Sequence, residues 1–156
     1  MSTLSFADHC SNGNLEEVRR ALARGEDVNK TNQYGTTGLM WAVWNKHNAV
    51  VELLLSQPGV DVNWVNNDGR TALYWACHGN NVEGLKMLLA HPSMNSHNVE
   101  DRYGRTPLMC AINRGYTSCI RELLKNKKVE LDIGSVTPST EIRMLIEEEK
   151  QRREEE

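Results

Sequence analysis

Apolar residues recur along this chain at a spacing that predicts helices. In four places an apolar residue is followed three and four positions later by an apolar pair, which puts all three on one face of an α-helix. The triplets begin 33, 34 and 35 residues apart. They are Val18 with Ala21 and Leu22, Val51 with Leu54 and Leu55, Leu85 with Leu88 and Leu89, and Ile120 with Leu123 and Leu124. Each unit therefore contains a helix whose apolar face must pack on a neighbour.

A second pattern repeats with the same period. The stretch GRTALYWACHG at 69–79 returns as GRTPLMCAINRG at 104–115, and a related copy begins at Gly35. Leucine and alanine follow the threonine with helical spacing, so a short helix of about two turns is expected. Threonine before such a run can cap it, and Pro107 stands where a first helical residue tolerates proline. Each unit is predicted to be a turn, a short helix and a second helix.

Repeated units of this kind stack, because one unit alone cannot bury its apolar face. The segments TGLMWA (37–42), TALYWA (71–76) and TPLMCA (106–111) resemble the ankyrin signature TPLHxA. The resemblance implies an all-α ankyrin-repeat solenoid of stacked helix-turn-helix units joined by β-hairpin-like turns. We expect the repeat domain to span 1–133, with units near 2–31, 32–64, 65–98 and 99–133, followed by a capping helix and charged tail at 134–156.

The chain departs from the ankyrin pattern in ways that make further predictions. Met40, Tyr74 and Met109 replace the histidine of the signature, so the stack is expected to rely more on packing. The first unit lacks the Gly-x-Thr turn, as is typical of a divergent N-terminal cap. At the other end Thr137 and Pro138 predict a helix start, and Ile142, Leu145 and Ile146 repeat the apolar triplet, which predicts a shortened capping helix. The charged residues beyond Ile146, which pair at i, i+4, predict a solvated helix that frays or continues into a longer chain.

Composition and charge narrow the function. The 156 residues carry a formal net charge of −3, so there is no overall basic surface for nucleic acid or membranes. The start of the chain has no signal-peptide pattern, and we expect a cytoplasmic or nuclear protein, monomeric on its own. The four cysteines have no metal-ligand or disulfide spacing. No cofactor or metal is expected.

Residues that suggest chemistry have simpler structural explanations. Cys110 or Cys119 with His78, and the pair Glu16 and Glu17, lack the arrangement of a catalytic site, so the chain is not expected to be an enzyme. Asn29 and Asn63, in the repeated DVN loops, are expected to form local hydrogen bonds. The resemblance to ankyrin proteins leaves hydroxylation of these asparagines open.

The ankyrin resemblance implies that a partner binds on a concave face made of the turn tips and the exposed side of the first helices. Trp44 is expected to be exposed there, whereas Trp41 and Trp75 are expected to pack between helices. Ser11 and Asn12 are further candidates in the N-terminal cap. The partner-binding residues transferred in this way are Gln33, Tyr34, Thr36, Trp44, Asn45, Asn67, Asp68, Arg70, His78, Arg102, Tyr103, Arg105, Asn113 and Arg114.

Tyrosine, tryptophan and arginine dominate this set and often anchor interfaces. The four arginines predict a partner that is acidic, or apolar with acidic flanks, unless they only solubilise the turns. We therefore predict a non-catalytic module that binds a peptide or protein. The alternatives are a regulatory or inhibitory subunit of a kinase or other enzyme, and a scaffold fragment of a larger protein.

Overall fold

The computed structural model describes residues 3–156, which form a stack of helical pairs. The predicted all-α solenoid is confirmed. Strand pairing in the described part is limited to one antiparallel bridge, between Thr31 and Thr37. The helices are α1 Phe6–Asn12, α2 Leu15–Ala23, α3 Gly38–Trp44, α4 Asn48–Leu55, α5 Ala72–His78, α6 Val82–Ala90, α7 Pro107–Arg114, α8 Thr117–Leu124 and α9 Thr140–Glu155.

Two rows of helices make up the stack. The short helices α1, α3, α5 and α7 pack on one another in an inner row, and α2, α4, α6 and α8 form an outer row. The apolar triplets lie between the rows, where Val18, Val51, Leu85 and Ile120 are fully buried. One continuous core therefore runs through all of the units.

The inner helices begin where the sequence predicts. The hydroxyls of Thr37, Thr71 and Thr106 accept hydrogen bonds from backbone amides in the first turns of α3, α5 and α7. Pro107 is the first residue of α7, where its missing amide hydrogen leaves no bond unmade. Met40, Tyr74 and Met109 are buried within these helices, as expected for a stack that relies on packing.

A polar residue organises each turn before an inner helix. In each of three turns, one Oδ1 atom accepts hydrogen bonds from two backbone amides of its own turn at 2.9–3.1 Å. These atoms belong to Asn32, Asn66 and Asp101. Neighbouring turns are also joined, because the amide of Asn67 donates to the carbonyl of Tyr34 at 3.0 Å. The turns thus form a fixed row along the edge of the inner helices.

The loops after the outer helices are joined by three asparagines, which we call the asparagine ladder. Asn29, Asn63 and Asn98 each bridge to the next loop with two hydrogen bonds, one donated by Nδ2 to a carbonyl and one accepted by Oδ1 from an amide. For Asn63 these bonds reach Ser93 at 2.7 Å and Asn95 at 3.0 Å. Asn29 and Asn63 do form hydrogen bonds, as predicted, but these bonds reach the next unit, 30–32 residues away, and are not local. Sequence reasoning missed Asn98, whose loop reads SHN instead of DVN.

The C-terminal helix differs from the prediction at its start. Helix α9 begins at Thr140 and is capped by the Ser139 hydroxyl, so the helix start predicted at Thr137 and Pro138 is wrong. A serine just before the helix offers the oxygen that the first turn requires, and Thr137 and Pro138 remain in the preceding loop.

Helix α9 packs on α8, and its Ile142 and Ile146 are buried in the core. The solvated tail predicted beyond Ile146 is wrong at Glu149 and Arg153. Glu149 is only 5% exposed and pairs with Arg152 and Arg153. Arg153 in turn donates to four backbone carbonyls, including those of Leu124 and Val129. The helix pattern missed this anchor because it counts apolar residues, whereas the contact consists of charge-assisted hydrogen bonds.

Candidate partner-binding face

An aromatic cluster covers part of the inner face, by which we mean the solvent side of α3, α5 and α7 with their preceding turns. The ring of Trp44 lies 5.7 Å from Trp41 and 5.2 Å from Trp75, and Trp75 lies 5.3 Å from His78. Trp44 is 37% exposed. The tryptophans border a small apolar crevice of ≈ 40 Å³. Exposed, tightly grouped indoles are a typical anchor for a partner's apolar side chains.

Trp41 and Trp75 belong to this cluster, which sequence reasoning did not foresee. Both are partly buried, and Trp75 also packs against the core, as expected. They nevertheless share a surface crevice with Trp44. The available signal was the spacing of three residues between Trp41 and Trp44, which puts both indoles on one side of α3.

Beside the aromatic cluster lies a polar pocket, here called the arginine pocket. It has a volume of ≈ 200 Å³. Its lining residues come from the helices α5 and α7 and from the turn that precedes each of them. They are Arg70, Tyr74, His78, Arg105, Asn113 and Arg114, with Cys110 beside them. The guanidinium of Arg70 stacks on Tyr74 at 4.8 Å and on Trp75 at 5.4 Å, so it links the pocket to the aromatic cluster.

Asp101 holds two of these arginines in place. Its side chain is fully buried, and Oδ2 accepts hydrogen bonds from Nε of Arg70 at 3.4 Å and from Nε of Arg105 at 3.3 Å. Burial opposes ionisation, but the amides of Arg105 and Tyr103 and the two guanidiniums hold the pKa of Asp101 below its ordinary value. A single carboxylate therefore serves two arginines, and its other oxygen already organises the turn.

His78 stands where the aromatic cluster and the arginine pocket meet. Its Nε2 lies 3.4 Å from Nη1 of Arg114, while its Nδ1 is buried and has no hydrogen-bond partner among the described residues. Burial lowers the pKa of His78, and Arg114, Arg70 and Arg105 lower it further. The neutral ring is therefore favoured, with Nε2 accepting from Arg114.

The thiols are unsuited to nucleophilic chemistry. Burial raises the pKa of Cys110, raises that of Cys10 to about 12 and that of Cys119 to about 11, and raises that of Cys77 well above its ordinary value. Thiols with raised pKa values remain protonated near neutral pH, whereas the thiolate is the nucleophile. Residues 3–156 contain no group of three or more histidine, cysteine or acidic side chains that could hold a metal ion.

The structure separates the residues proposed for partner binding into exposed and engaged ones. Tyr34 and Tyr103 are 60% and 66% exposed at the turn tips. Thr36 is only 7% exposed and accepts a hydrogen bond from Asn66, so its predicted place on an exposed surface is wrong. Thr36 precedes the helix-capping Thr37 and is covered by the next turn of the stack, which contains Asn66.

Several other candidates are accessible but already have partners. Asn45 donates to Ser11, and Arg102 pairs with Asp68 at 3.0 Å. The remaining candidates are exposed: Gln33 and Asn67 at the turn tips, Asn12 at the end of α1, and Asn113 and Arg114 at the end of α7. Of the four arginines on which the prediction of an acidic partner rested, Arg70, Arg102 and Arg105 are thus paired with aspartates. The number of charges in the sequence alone does not reveal such pairs.

Comparison with known proteins gives two similarities. The family model for ankyrin repeats, in three copies, matches residues 6–64 and 39–135. A mitochondrial disaggregase from Homo sapiens is 46% identical over 43 residues, which are 28% of this chain and 6% of that protein. The chain therefore matches a small part of this relative's length. Within the part of the chain that the structure describes, no helix is long and apolar enough to cross a membrane.

Proposed function

Because this chain belongs to the ankyrin-repeat family, whose repeats are generally protein–protein interaction modules, we propose that it binds a peptide or protein on its inner face without catalysing a reaction. The observation that carries the proposal is the position of Trp44. It is more than a third exposed, contacts two further tryptophans and lies 6.0 Å from the ring of His78, which lines the arginine pocket. A rigid apolar surface beside a charged one is the usual composition of a binding hot spot.

The rigidity of this face supports the proposal. Threonine side chains cap the starts of the inner helices, and backbone hydrogen bonds join the turns. Arg70 is held between Asp101 and the rings of Tyr74 and Trp75. Side chains that are already ordered lose little entropy when a partner binds. The inner face is therefore prepared for recognition before the partner arrives.

The charges on the face favour a partner that is apolar with acidic flanks. Three guanidiniums surround the arginine pocket, and Asp101 is the carboxylate that pairs with two of them. Arg102 adds little, because Asp68 neutralises it. The local excess of positive charge attracts acidic groups even though the chain as a whole carries −3. The exposed Tyr34 and Tyr103 at the turn tips would contact the rim of the same partner.

A matched pair of tryptophan variants tests the proposed function. Trp64 is 36% exposed, nearly the same as Trp44, but its indole bonds to the carbonyl of Gly35 and lies outside the aromatic cluster. Proteins captured from a lysate by the wild-type chain would be purified, and their dissociation constants measured for wild type, Trp44→Ala and Trp64→Ala.

We expect Trp44→Ala to weaken binding about tenfold or more, as loss of a hot-spot tryptophan does, and Trp64→Ala to leave the affinity within about twofold of wild type. Circular dichroism must show that both variants remain helical. Equal affinity of Trp44→Ala and wild type for every purified partner would contradict binding on the inner face.

A further inference from the structure

We propose that the arginine pocket receives one carboxylate of the bound partner, and that His78 takes up a proton as this carboxylate binds. The inference rests on the proposed function, because it describes how the inner face recognises an acidic group. It adds a defined position for that group and a dependence of the affinity on pH.

The pocket has unmatched positive charge at Arg114. The ion pairs of this face among residues 3–156 join Arg70 and Arg105 to Asp101, and Arg102 to Asp68. Arg114 instead contacts the Nε2 atom of His78 and the hydroxyl of Tyr116, each at 3.4 Å. A neutral acceptor at that distance holds a guanidinium weakly, since charge-assisted bonds to carboxylates are shorter and stronger. A carboxylate from the partner is a better acceptor for Arg114.

Asp101 cannot supply this acceptor. Its Oδ1 atom is bonded to the amides of Tyr103 and Arg105, and its Oδ2 atom is shared by Arg70 and Arg105. The open volume of ≈ 200 Å³ lies between these arginines and Arg114. It has room for the carboxyl group of an aspartate or glutamate, and the neighbouring aromatic cluster can hold an apolar side chain next to it.

Binding of the carboxylate is coupled to the protonation of His78 by geometry and charge. In the free protein the neutral ring accepts a hydrogen bond from Arg114 through Nε2. If Arg114 turns to the incoming carboxylate, Nε2 is released and can take up a proton. The protonated ring then donates from Nε2 to the same carboxylate. In the free protein, burial and the positive charges of the three arginines keep the pKa of His78 low. The negative charge of the bound carboxylate offsets the repulsion between these arginines and a protonated His78.

Other groups around His78 do not titrate near neutral pH. On α5 itself, burial raises the pKa of Tyr74 to about 12. On α7, burial raises the pKa of Cys110, and Arg114 remains charged. The turns contribute Arg70 and Arg105, and the α3 residue against the ring is Trp44. Among these groups, His78 is therefore the one whose charge the proposal allows to change between pH 7.5 and 5.5.

The sign of the pH effect follows from linkage. Because the bound state has the higher histidine pKa, binding takes up protons between the two pKa values, and affinity rises as the pH falls through this interval. A shift of one pH unit corresponds to at most about a tenfold change in affinity. Below the pKa that His78 has in the free protein, the affinity stops rising.

The experiment uses peptides as the probe and the whole chain as the receptor. Twelve-residue peptides enriched from a random phage library would be synthesised in two forms, one with its acidic residue and one with the corresponding carboxamide. Dissociation constants would be measured at pH 7.5 and 5.5 for wild type, Arg114→Gln, His78→Asn and Trp44→Ala. Arg19→Gln is the matched control, because Arg19 is an exposed arginine on α2 in the outer row.

We expect Arg114→Gln to lower the affinity for the acidic peptide about tenfold and to leave the affinity for the carboxamide peptide nearly unchanged. Arg19→Gln should lower neither affinity. Wild type should bind the acidic peptide several-fold more tightly at pH 5.5 than at pH 7.5, and His78→Asn should remove this difference. As a second measurement, the His78 ring signals in NMR should titrate at a higher pH when the acidic peptide is bound.

The possible failures are distinguishable. If Trp44→Ala weakens the peptides but Arg114→Gln or the carboxamide does not, the carboxylate pocket is overturned and the proposed function stands. If Arg114→Gln lowers the affinity for the acidic peptide, but neither the pH nor His78→Asn changes that affinity, proton uptake by His78 is overturned. If no peptide is enriched, the carboxylate pocket as a peptide site is overturned, and the Trp44→Ala and Trp64→Ala comparison on captured proteins decides the proposed function. If enriched peptides bind equally well to Trp44→Ala, Arg114→Gln and wild type, the inference and binding of peptides on the inner face both fail.

Discussion

The asparagine ladder and the inner face are built on the same repeat but use it in opposite ways. Along the ladder, three successive units place asparagine at the same position and form the same two bonds to the next loop. On the inner face, corresponding positions vary between units. Positions 41, 75 and 110 carry Trp, Trp and Cys, and positions 44, 78 and 113 carry Trp, His and Asn. In this chain the residues that repeat hold the stack together, and those that do not repeat distinguish its surface.

The row of turns lies between these two extremes. Asn32, Asn66 and Asp101 occupy equivalent positions and organise their turns with the same pair of bonds. Only the aspartate has a charged second oxygen that can also hold Arg70 and Arg105. One change from asparagine to aspartate thus joins the structural row to the candidate binding surface.

The largest expected effect comes from removing this aspartate. Asp101→Ala should lower the free energy of unfolding by about 3 kcal/mol, since it removes two amide bonds and leaves two partly buried guanidiniums without their carboxylate. Asn32→Ala removes the equivalent amide bonds alone and should cost about 1–2 kcal/mol. Urea unfolding followed by circular dichroism measures both. Equal losses in the two variants would show that the arginine pairs contribute nothing to stability.

The same variant has an expected pH dependence. Because the folded-state pKa of Asp101 is lowered, its stabilising contribution is present above the ordinary carboxyl pKa and is lost as the pH falls through the folded-state value. The difference in stability between wild type and Asp101→Ala should therefore be constant from neutral pH down to about pH 5 and narrow below about pH 4.

The parts of this protein that sequence reasoning predicted are those determined by periodicity. The threonine caps, Pro107 and the buried triplets follow from local chemistry repeated at a fixed spacing. The pairing of Arg70 with Asp101 was not predictable, because the two residues are 31 positions apart and meet only when adjacent turns stack. The anchor made by Arg153 was missed for the same reason, since its carbonyl partners lie 24–29 residues earlier in the chain.

Breaking one step of the asparagine ladder should have a smaller effect on stability and none on recognition. Asn63→Ala removes two inter-loop hydrogen bonds from a partly buried position and should lower the free energy of unfolding by about 2 kcal/mol. The affinity for any inner-face ligand should stay within about twofold of wild type, in contrast to Trp44→Ala. Unfolding and binding would be measured on the same preparations. A tenfold loss of affinity in Asn63→Ala would show that the two regions are coupled.

The smallest expected effect on stability comes from a histidine that stands where the preceding ladder loop has a valine. His97 is buried at the position that Val62 holds in the preceding loop. Burial, and to a lesser degree the nearby charge of Lys128, lowers the pKa of His97, so the unfolded chain binds a proton more readily than the folded one. Stability should therefore fall as the pH drops through the ordinary histidine pKa, by at most about 1.4 kcal/mol per pH unit.

His97→Val restores the residue type of the neighbouring loop and should remove this pH-dependent loss. We expect the stabilities of variant and wild type to differ by less than about 1 kcal/mol at pH 7.5, and the variant to gain relative to wild type at pH 5.5. His78 titrates in the same direction but is present in both proteins, so its contribution cancels in the difference. If the two urea midpoints fall in parallel between pH 7.5 and 5.5, the imidazole of His97 is protonated as easily in the folded state as in the unfolded chain. The loop would then tolerate a charge where its neighbour holds a valine.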